Sequence, residues 1–245
     1  MTLALAAILA LQGWKTLQPG VEFTTAGTLY IVRVDPNQAA LDVALASEEG
    51  AARTALEWSR HAHMSIVINL GMFQSDQRSN VGYLRHGSHL NNPRFNNYRS
   101  VLAANPGILW LDFDPAKRTV DLTRYNVVVQ NLRLIAANRN NVWSPSNRRW
   151  SEAALAEDSR GRVLFLFSRV PYSMREFNER ILKLPLDITR AMHLEGGPEA
   201  SLSIHAGGVD LDLCGSYETG FLENGSNEHQ WPIPNVLGVI GARSP

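Results

Sequence analysis

A carboxylate followed by two glycines is the most chemically suggestive feature of the sequence. Glu195 stands directly before Gly196 and Gly197, and His193 precedes it by two residues. Two glycines let a backbone turn tightly and approach a ligand closely, and a carboxylate there can act as a nucleophile or a base. His193 can relay a proton near neutral pH, but we rank it below Glu195 because we expect its side chain on the opposite face of the strand. The alternative is an ordinary Gly-Gly hairpin with an exposed glutamate.

A second candidate segment follows an apolar run that ends at Asn69. Gly71, Met72 and Phe73 come directly after it. The Asn69 amide can bind a sugar hydroxyl or a phosphate. The alternative is a capped turn in which Gly71 supplies a positive φ.

A third candidate is a group of polar residues that interrupts another apolar run. Gln130, Asn131 and Arg133 stand between Val129 and Leu134. The Arg133 guanidinium can hold a phosphate through paired N–H groups. The alternative is a bulge between two strands, with Arg133 facing solvent.

Histidines and aspartates close together in sequence raise the question of a metal site. They are His61, His63, His86, His89, Asp210 and Asp212. A zinc site needs three or four converging ligands, and no group of cysteines accompanies these residues. We therefore predict neither a metal nor a cofactor, and we keep a metal-dependent hydrolase that uses His86 and His89 as a less favoured alternative.

The charge balance narrows the choice of partners. The 23 basic and 23 acidic residues cancel, and 20 of the basic residues are arginines. A neutral chain without a basic block is not a general nucleic-acid binder. A small anion site built from arginine remains compatible with this composition. Arg133 and Arg149 are the first candidates for it, with Arg78, Arg85 and Arg94 in reserve.

The first residues of the chain are apolar but too few to span a membrane. We interpret residues 1–13 either as the remnant of a signal peptide or as an apolar N-terminal element, and residues 14–245 as a single domain. The signal-peptide interpretation places the protein outside the cytoplasm. No later segment is long and apolar enough to cross a membrane.

Short apolar runs predict most of the secondary structure. The predicted strands cover residues 29–34, 41–46, 65–69, 108–113, 126–130, 132–136, 163–167, 201–204, 209–213 and 236–240. Two helices are predicted, over 51–63 and 174–184, the second opened by a capping box of Ser173 and Glu176. These elements indicate an α+β fold, with a large mixed, partly antiparallel β-sheet core and a few packed helices. Residues 71–100 are predicted to form a long loop.

Four segments, in this order, resemble motifs of the phosphodiester glycosidase family. Residues 69–73 are similar to its Asn-Gly-Gly-aromatic-Phe turn, and residues 130–134 take the place of its Gln-x-Gly-Pro segment. Residues 194–200 resemble Leu-Asp-Gly-Gly-Gly-Ser-Ser, and residues 233–237 resemble Val-Pro-Asn-Ala-Leu. Arg149 and Ser151 occupy the place of an Arg-Thr-containing strand. The resemblance covers nearly the whole chain.

The resemblance implies a hydrolase that cleaves a glycosidic bond in a sugar-1-phosphodiester or a related glycan. Glu195 would be the key carboxylate, Arg133 or Arg149 would hold the phosphate, and Asn69 would position sugar hydroxyls. Glu195 replaces the family's aspartate, and Pro198, Glu199 and Ala200 replace its third glycine and its serines. These departures keep open an alternative, a non-catalytic module of the same fold that binds a glycan or a phosphate.

Overall fold

The computed structural model describes residues 10–114, 116–117 and 120–240. Most of the predicted N-terminal apolar element, residues 1–9, lies outside the described residues. In chain order the strands are β1 (Lys15–Gln18), β2 (Val21–Ala26), β3 (Leu29–Val34), β4 (Leu41–Leu45), β5 (Met64–Asn69), β6 (Leu84–His86), β7 (His89–Asn92), β8 (Ser100–Ala104), β9 (Ile108–Asp112), β10 (Val127–Asn131), β11 (Arg133–Ala136), β12 (Asn140–Asn141), β13 (Trp150–Asp158), β14 (Val163–Tyr172), β15 (Ile188–Gly196), β16 (Ser201–Ala206), β17 (Val209–Cys214) and β18 (Asn235–Ile240). The helices are α1 (Ala46–Glu49), α2 (Ala55–His61) and α3 (Met174–Lys183).

The described strands form three sheets in which neighbouring strands run antiparallel. The first sheet has the order β1-β2-β3-β14-β13-β15-β11-β12, the second β7-β6-β10-β8-β9 and the third β17-β16-β5-β18-β4. The α+β class is confirmed, and all ten predicted strands are present. The strands divide among three sheets where the sequence predicted one large core sheet, and all their pairings are antiparallel.

One hydrophobic core joins the three sheets. Leu155 of the first sheet, Val129 of the second and Ile68 of the third are fully buried members of the same cluster. Burial of apolar surface contributes roughly 25 cal/mol per Å² to folding, so this shared cluster stabilises the sheets together. The ends of β5, β10 and β15 are thereby held close to one another.

Helix α3 covers the outer face of the first sheet and matches its prediction closely. Its capping box is confirmed: the Ser173 hydroxyl accepts the N–H of Glu176, and the Glu176 carboxylate accepts the N–H of Ser173. Phe177 and Ile181 lie four residues apart on its buried face. They pack against β13 and β14 in a second core cluster.

Helix α2 is shorter than predicted. A second capping box, formed by Thr54 and Glu57, makes the helix begin at Ala55, whereas the prediction began at residue 51. At the other end His63 has a positive φ of 54°, which a continuing helix cannot accommodate. The local capping chemistry therefore limits this helix.

Residues 71–100 contain a β-hairpin, so the prediction of one long loop is wrong. Strands β6 and β7 pair there. Asparagine side chains hold the rest of the segment: Asn92 donates to the carbonyl oxygen of Asn80 at 2.8 Å, and Asn91 accepts the Asn80 N–H at 2.7 Å. Such side-chain bonds to the backbone give an irregular segment a fixed shape.

No helix in the described part of the chain is both long enough and apolar enough to span a bilayer.

Candidate active site

Strand β15 carries the predicted carboxylate in the interior of the first sheet, between β13 and β11. Its pairing with β13 is irregular: Ala154 lies opposite His193, whereas Ala153 lies opposite Glu195, so Leu194 is an extra residue. A β-bulge of this kind re-aims the side chains around it. The orientation of Glu195 relative to His193 is therefore set by the bulge and not by simple alternation.

The two glycines after Glu195 are required by close packing and by backbone conformation. A Cβ on Gly196 would lie 2.6 Å from Cδ1 of the Trp150 ring, which is closer than real atoms approach. Gly197 has a positive φ of 68°, and a Cβ there would lie 2.7 Å from the carboxylate of Glu218. The Gly-Gly turn thus lets Trp150 and Glu218 pack directly on the backbone that follows Glu195.

Two glutamates at this turn, Glu195 and Glu199, have raised pKa values. The carboxylate of Glu195 accepts the Gly196 N–H at 3.0 Å. Burial raises the pKa of Glu195 to about 8, and the charges of Glu199 and Glu218 add to this effect. Burial also raises the pKa of Glu199 to about 7, again with help from Glu218. Glu195 and Glu199 therefore exchange protons near neutral pH, the range that suits general acid and base groups.

A buried ion pair lies behind the turn. His193 Nδ1 lies 2.5 Å from Glu152 Oε1, and the two side chains are 4% and 1% exposed. The other oxygen of Glu152 accepts the Trp150 Nε1–H at 2.7 Å. Burial alone would lower the pKa of His193, but the Glu152 carboxylate outweighs burial and raises the pKa above its ordinary value of 6.5. Glu152 therefore orients both His193 and the Trp150 ring that packs on Gly196.

Asn69 connects the end of β5 to this turn. Its amide oxygen accepts the Ser201 N–H at 2.7 Å, and its amide nitrogen donates to the carbonyl oxygen of Glu199 at 3.1 Å. The side chain is buried. In the structure the Asn69 side chain fixes the backbone that carries Glu199. The predicted role of Asn69, binding of a sugar hydroxyl or a phosphate, did not include this contact.

Gln130 supports the segment opposite Glu195. Its amide nitrogen donates to the carbonyl oxygens of Asn96 and Tyr98, and its amide oxygen accepts the Asn96 N–H at 3.0 Å. Burial raises the pKa of Tyr98, and the charge of Glu195 adds to the shift. Tyr98 is thus electrostatically coupled to Glu195 across the site.

Asn131 and Asn80 enclose the glycine of the second predicted segment. Asn131 donates to the carbonyl oxygen of Leu70 at 2.7 Å. A side chain on Gly71 would collide with the amide oxygens of Asn131 and Asn80. The ends of β5 and β10 therefore interlock through Gly71.

The two apolar residues that follow Gly71 have mainly structural contacts. The carbonyl oxygen of Met72 accepts the Val81 N–H at 2.8 Å. Phe73 packs against the core cluster under α2, which contains Trp58.

Arg149 and Ser151 flank Trp150 at the start of β13. The Arg149 guanidinium forms an exposed ion pair with Glu176 at 2.6 Å, and its backbone N–H donates to the Thr219 hydroxyl at 3.0 Å. Ser151 is fully buried and accepts the Ser216 N–H at 2.9 Å. Arg149 therefore lies at the rim, whereas Ser151 anchors the chain that leads to Glu218.

The other candidate arginines lie in separate surroundings. Arg133 Nη1 is 3.9 Å from the carboxylate of Asp112, and its buried Nε has no hydrogen-bond partner. Arg78 and Arg85 donate to backbone carbonyl oxygens, and Arg94 is exposed.

The histidines of the metal hypothesis engage other side chains. His86 lies 3.4 Å from Asp42 and 2.8 Å from Glu48, and hydrogen bonds to these carboxylates raise its pKa to about 9. His89 hydrogen-bonds to Ser47 at 2.8 Å. Across the described ranges, no group of three or more His, Cys, Asp or Glu side chains has an arrangement that could hold a metal ion.

The other predicted ligands also have different partners. His61 hydrogen-bonds to Glu49 at 3.2 Å on the surface. Asp210 and Asp212 both contact the ring of His205, at 2.5 and 3.1 Å. The first pair joins α1 to α2, and the second contact group joins β16 to β17.

The candidate site places two carboxyl groups with raised pKa values, those of Glu195 and Glu199, at the Gly-Gly turn. The predicted residues His193, Glu195, Gly196 and Gly197 lie together at the end of β15. The prediction missed Glu152, Tyr98 and Glu218, and it noted Glu199 only as a departure from the family pattern. No local pattern marks Glu152 as a partner of His193, and strand β13, which carries Glu152, was not predicted.

A family model described as phosphodiester glycosidase matches residues 62–240. No curated protein matches the sequence.

Three solved structures share the fold. The catalytic domain of zebrafish N-acetylglucosamine-1-phosphodiester alpha-N-acetylglucosaminidase, auto-inhibited by its pro-peptide, has a TM-score of 0.65 at 11% identity, over 98% of this chain and 85% of that one. A hypothetical protein from Synechocystis has a TM-score of 0.62 at 14% identity, over 93% and 61%. A Burkholderia pseudomallei protein described as exported has a TM-score of 0.53 at 10% identity, over 90% and 74%.

Proposed function

This chain belongs to the phosphodiester glycosidase family, and from that premise we propose that it is a hydrolase that cleaves a glycosidic bond in a sugar-1-phosphodiester or a related glycan. The observation that carries the proposal is the pair Glu195 and Glu199 at the family's Gly-Gly turn, with pKa values raised to about 8 and about 7. Carboxyl pairs with separated pKa values are typical of glycosidases.

The proposed mechanism uses one carboxyl group in each protonation state. Positive charge develops at the anomeric carbon as its bond to the phosphate oxygen breaks. The electron pair of that bond leaves with the phosphate, and a water oxygen bonds to the carbon while its proton passes to a carboxylate. Between pH 7 and 8 one carboxyl group is charged and can accept that proton. The other is neutral and can donate a hydrogen bond to the departing phosphate.

We assign Glu195, which has the higher pKa, as the key carboxyl group that is neutral at this pH and lies beside the departing phosphate. Glu199, which has the lower pKa, is the carboxylate that accepts the proton of water, and His193 is the electrostatic partner of Glu195. The positive charge of His193 lowers the pKa of Glu195 and so opposes the effect of burial. The ion pair with Glu152 keeps His193 charged and fixed. Glu152 is thus a positioning residue that acts through His193 and Trp150.

Substrate binding falls to residues around the turn. We assign the exposed Arg149 to phosphate binding. The phosphate of the substrate would take the place of Glu176 as the ion-pair partner of Arg149, because a phosphate accepts paired N–H groups. Arg133 remains the second candidate for this role. Asn69, Gly71 and Asn131 shape the sugar-binding wall together with Gly196 and Gly197. Gln130, Ser151, Met72 and Phe73 support that wall through the contacts described above.

We extend the proposal to the organisation and location of the protein. Residues 14–245 act as a single domain, in keeping with the core that all three sheets share. A location outside the cytoplasm is supported by the apolar start of the sequence and by the description of the Burkholderia pseudomallei protein as exported. The expected partner is a carbohydrate or a sugar phosphate.

Isotope labelling tests which bond breaks. The protein is incubated in H2¹⁸O with the methyl phosphodiesters of glucose, mannose, N-acetylglucosamine and N-acetylgalactosamine 1-phosphates. Cleavage at the anomeric carbon leaves methyl phosphate without ¹⁸O, whereas attack at phosphorus places ¹⁸O on a phosphorus-bound oxygen. The ³¹P isotope shift distinguishes these products.

We expect unlabelled methyl phosphate and free sugar from at least one substrate. Labelled phosphate would make the protein a phosphodiesterase and contradict the proposal. Saturable binding without release of any product would favour the non-catalytic binding module.

A further inference from the structure

Two aromatic side chains project from the segment that joins β17 to β18. Phe221 is 59% exposed, the largest exposure among the large apolar side chains in the described ranges. Trp231 is half-buried, and its ring lies 6.1 Å from that of Phe221 at an interplanar angle of 83°. The two rings therefore form a corner that is open to solvent. A single exposed apolar side chain is common on protein surfaces, so the position of this corner relative to the Gly-Gly turn is what points to a function.

Phe221 is tied to the carboxylate turn through Glu218. The Phe221 N–H donates to the carbonyl oxygen of Glu218 at 3.1 Å, in a turn closed by mutual backbone bonds between Glu218 and Leu222. The carboxylate of Glu218 packs on Gly197, and its charge raises the pKa of Glu195. Phe221 thus lies three residues from a side chain that touches the candidate active site.

Trp231 is tied to the same turn by a second route. Its Nε1–H donates to the amide oxygen of Asn227 at 3.0 Å. The Asn227 amide nitrogen donates to the carbonyl oxygens of Gly215 at 2.7 Å and Pro198 at 3.5 Å. Two independent chains of contacts therefore fix the aromatic corner beside residues 197–199.

We propose that Phe221 and Trp231 bind a pyranose ring of the substrate beyond the bond that is cleaved, so that the natural substrate is an extended glycan and not a single sugar. One face of a pyranose ring consists of C–H groups, which pack on an aromatic face, and its hydroxyl groups lie at the edge. Phe221 offers only an apolar face, while the Trp231 N–H is already satisfied by Asn227. This inference rests on the proposed function, because it takes the Glu195 turn as the point of cleavage.

Binding of oligosaccharides tests the aromatic corner without requiring turnover. Saturation-transfer NMR titrations measure the affinity of the full chain for chitotriose, maltotriose and mannotriose, both in the wild type and in Glu195→Gln. We expect at least one trisaccharide to bind in both proteins. Phe221→Leu keeps an apolar side chain and should weaken that binding about tenfold, whereas Phe221→Tyr should keep it within about twofold. Leu90→Ala, at another exposed apolar residue, is the matched control and should leave the affinity unchanged.

The outcomes separate this inference from the proposed hydrolysis. Failure of the wild type to bind any of the three trisaccharides, or equal affinity in Phe221→Leu and the wild type, would overturn the aromatic site even if a phosphodiester is hydrolysed. Binding that depends on Phe221 in a protein that hydrolyses nothing would sustain the aromatic site and contradict the hydrolase.

Discussion

At the scale of single residues, the ionisation of Glu195 is the property that links structure to chemistry. Its pKa of about 8 arises mainly from burial, and His193 opposes the rise. Phosphate is a good leaving group, so the chemistry alone does not demand a strong acid. The structure nevertheless holds two protonatable carboxyl groups at the turn. The charge of Glu199 contributes to the raised pKa of Glu195.

Activity should follow a bell-shaped pH profile. One carboxyl group must be ionised and the other protonated, so kcat/KM should peak between pH 7 and 8 and fall on both sides. Initial rates from pH 5 to pH 9.5 on the substrate identified by labelling measure this profile. In Glu199→Gln the acidic limb should shift or disappear. A rate that is flat from pH 5 to pH 9.5 would show that neither group titrates in the reaction.

Stability should also depend on Glu195 and pH. The folded-state pKa of about 8 exceeds the ordinary value of 4.5, so the folded protein binds this proton more tightly than the unfolded chain. The resulting stabilisation is complete below about pH 4.5 and is lost as the pH rises towards 8. Glu195→Gln cannot ionise, so its free energy of unfolding should rise relative to the wild type by about 1–3 kcal/mol from pH 5 to pH 8.5. Urea titrations at both pH values measure this difference, and a constant difference would contradict the raised pKa.

At the scale of elements, the sequence predicted β5 and β10, which carry site residues, but missed β13, which carries Trp150 and Glu152. Strand β3, from Leu29 to Val34, matches its prediction residue for residue because it is rich in β-branched and apolar residues. Strand β13 reads WSEAALAED, and its alanines and carboxylates have low β-propensity. Burial between β14 and β15 makes it a strand. The Glu152–His193 pair spans two elements 41 residues apart, so no local pattern could indicate it.

The contact of Gly196 with Trp150 gives an element-scale prediction. Gly196→Ala should lower the free energy of unfolding by about 1–3 kcal/mol, because the new methyl group overlaps the Trp150 ring. Gly13→Ala is the matched control, since no atom lies within 4 Å of the added carbon. It should change stability by less than about 0.5 kcal/mol. Equal stability of the two variants in chemical denaturation would contradict the packing described for β13 and β15.

At the scale of the whole molecule, the shared core predicts cooperative unfolding. Leu155, Val129 and Ile68 belong to one cluster although they lie in three different sheets. Loss of one sheet would expose the core of the other two, so the three should unfold together. The motifs at residues 69–73, 130–134 and 194–200 lie far apart along the chain, and side-chain contacts join them in the structure.

Coincident thermal transitions would demonstrate this cooperativity. Trp110, Trp150 and Trp58 report on β9, β13 and α2, so tryptophan fluorescence samples different parts of the molecule. Fluorescence and far-ultraviolet circular dichroism should give the same midpoint within about 2 °C, as a two-state transition requires. Two separate transitions would contradict the single domain proposed for residues 14–245.

The kcat/KM of Glu195→Gln tests the central proposal most directly. The assay measures sugar released at pH 7.5 from the phosphodiester that the wild type hydrolyses best. Glu157→Gln is the control, because Glu157 is also a glutamate on the first sheet whose pKa is raised by burial, but it contacts Thr189 and Arg190 and not the Gly-Gly turn. We predict that kcat/KM falls at least about 10³-fold in Glu195→Gln and stays within about twofold in Glu157→Gln. A Glu195→Gln variant as active as the wild type would contradict the assignment of Glu195 as the key carboxyl group.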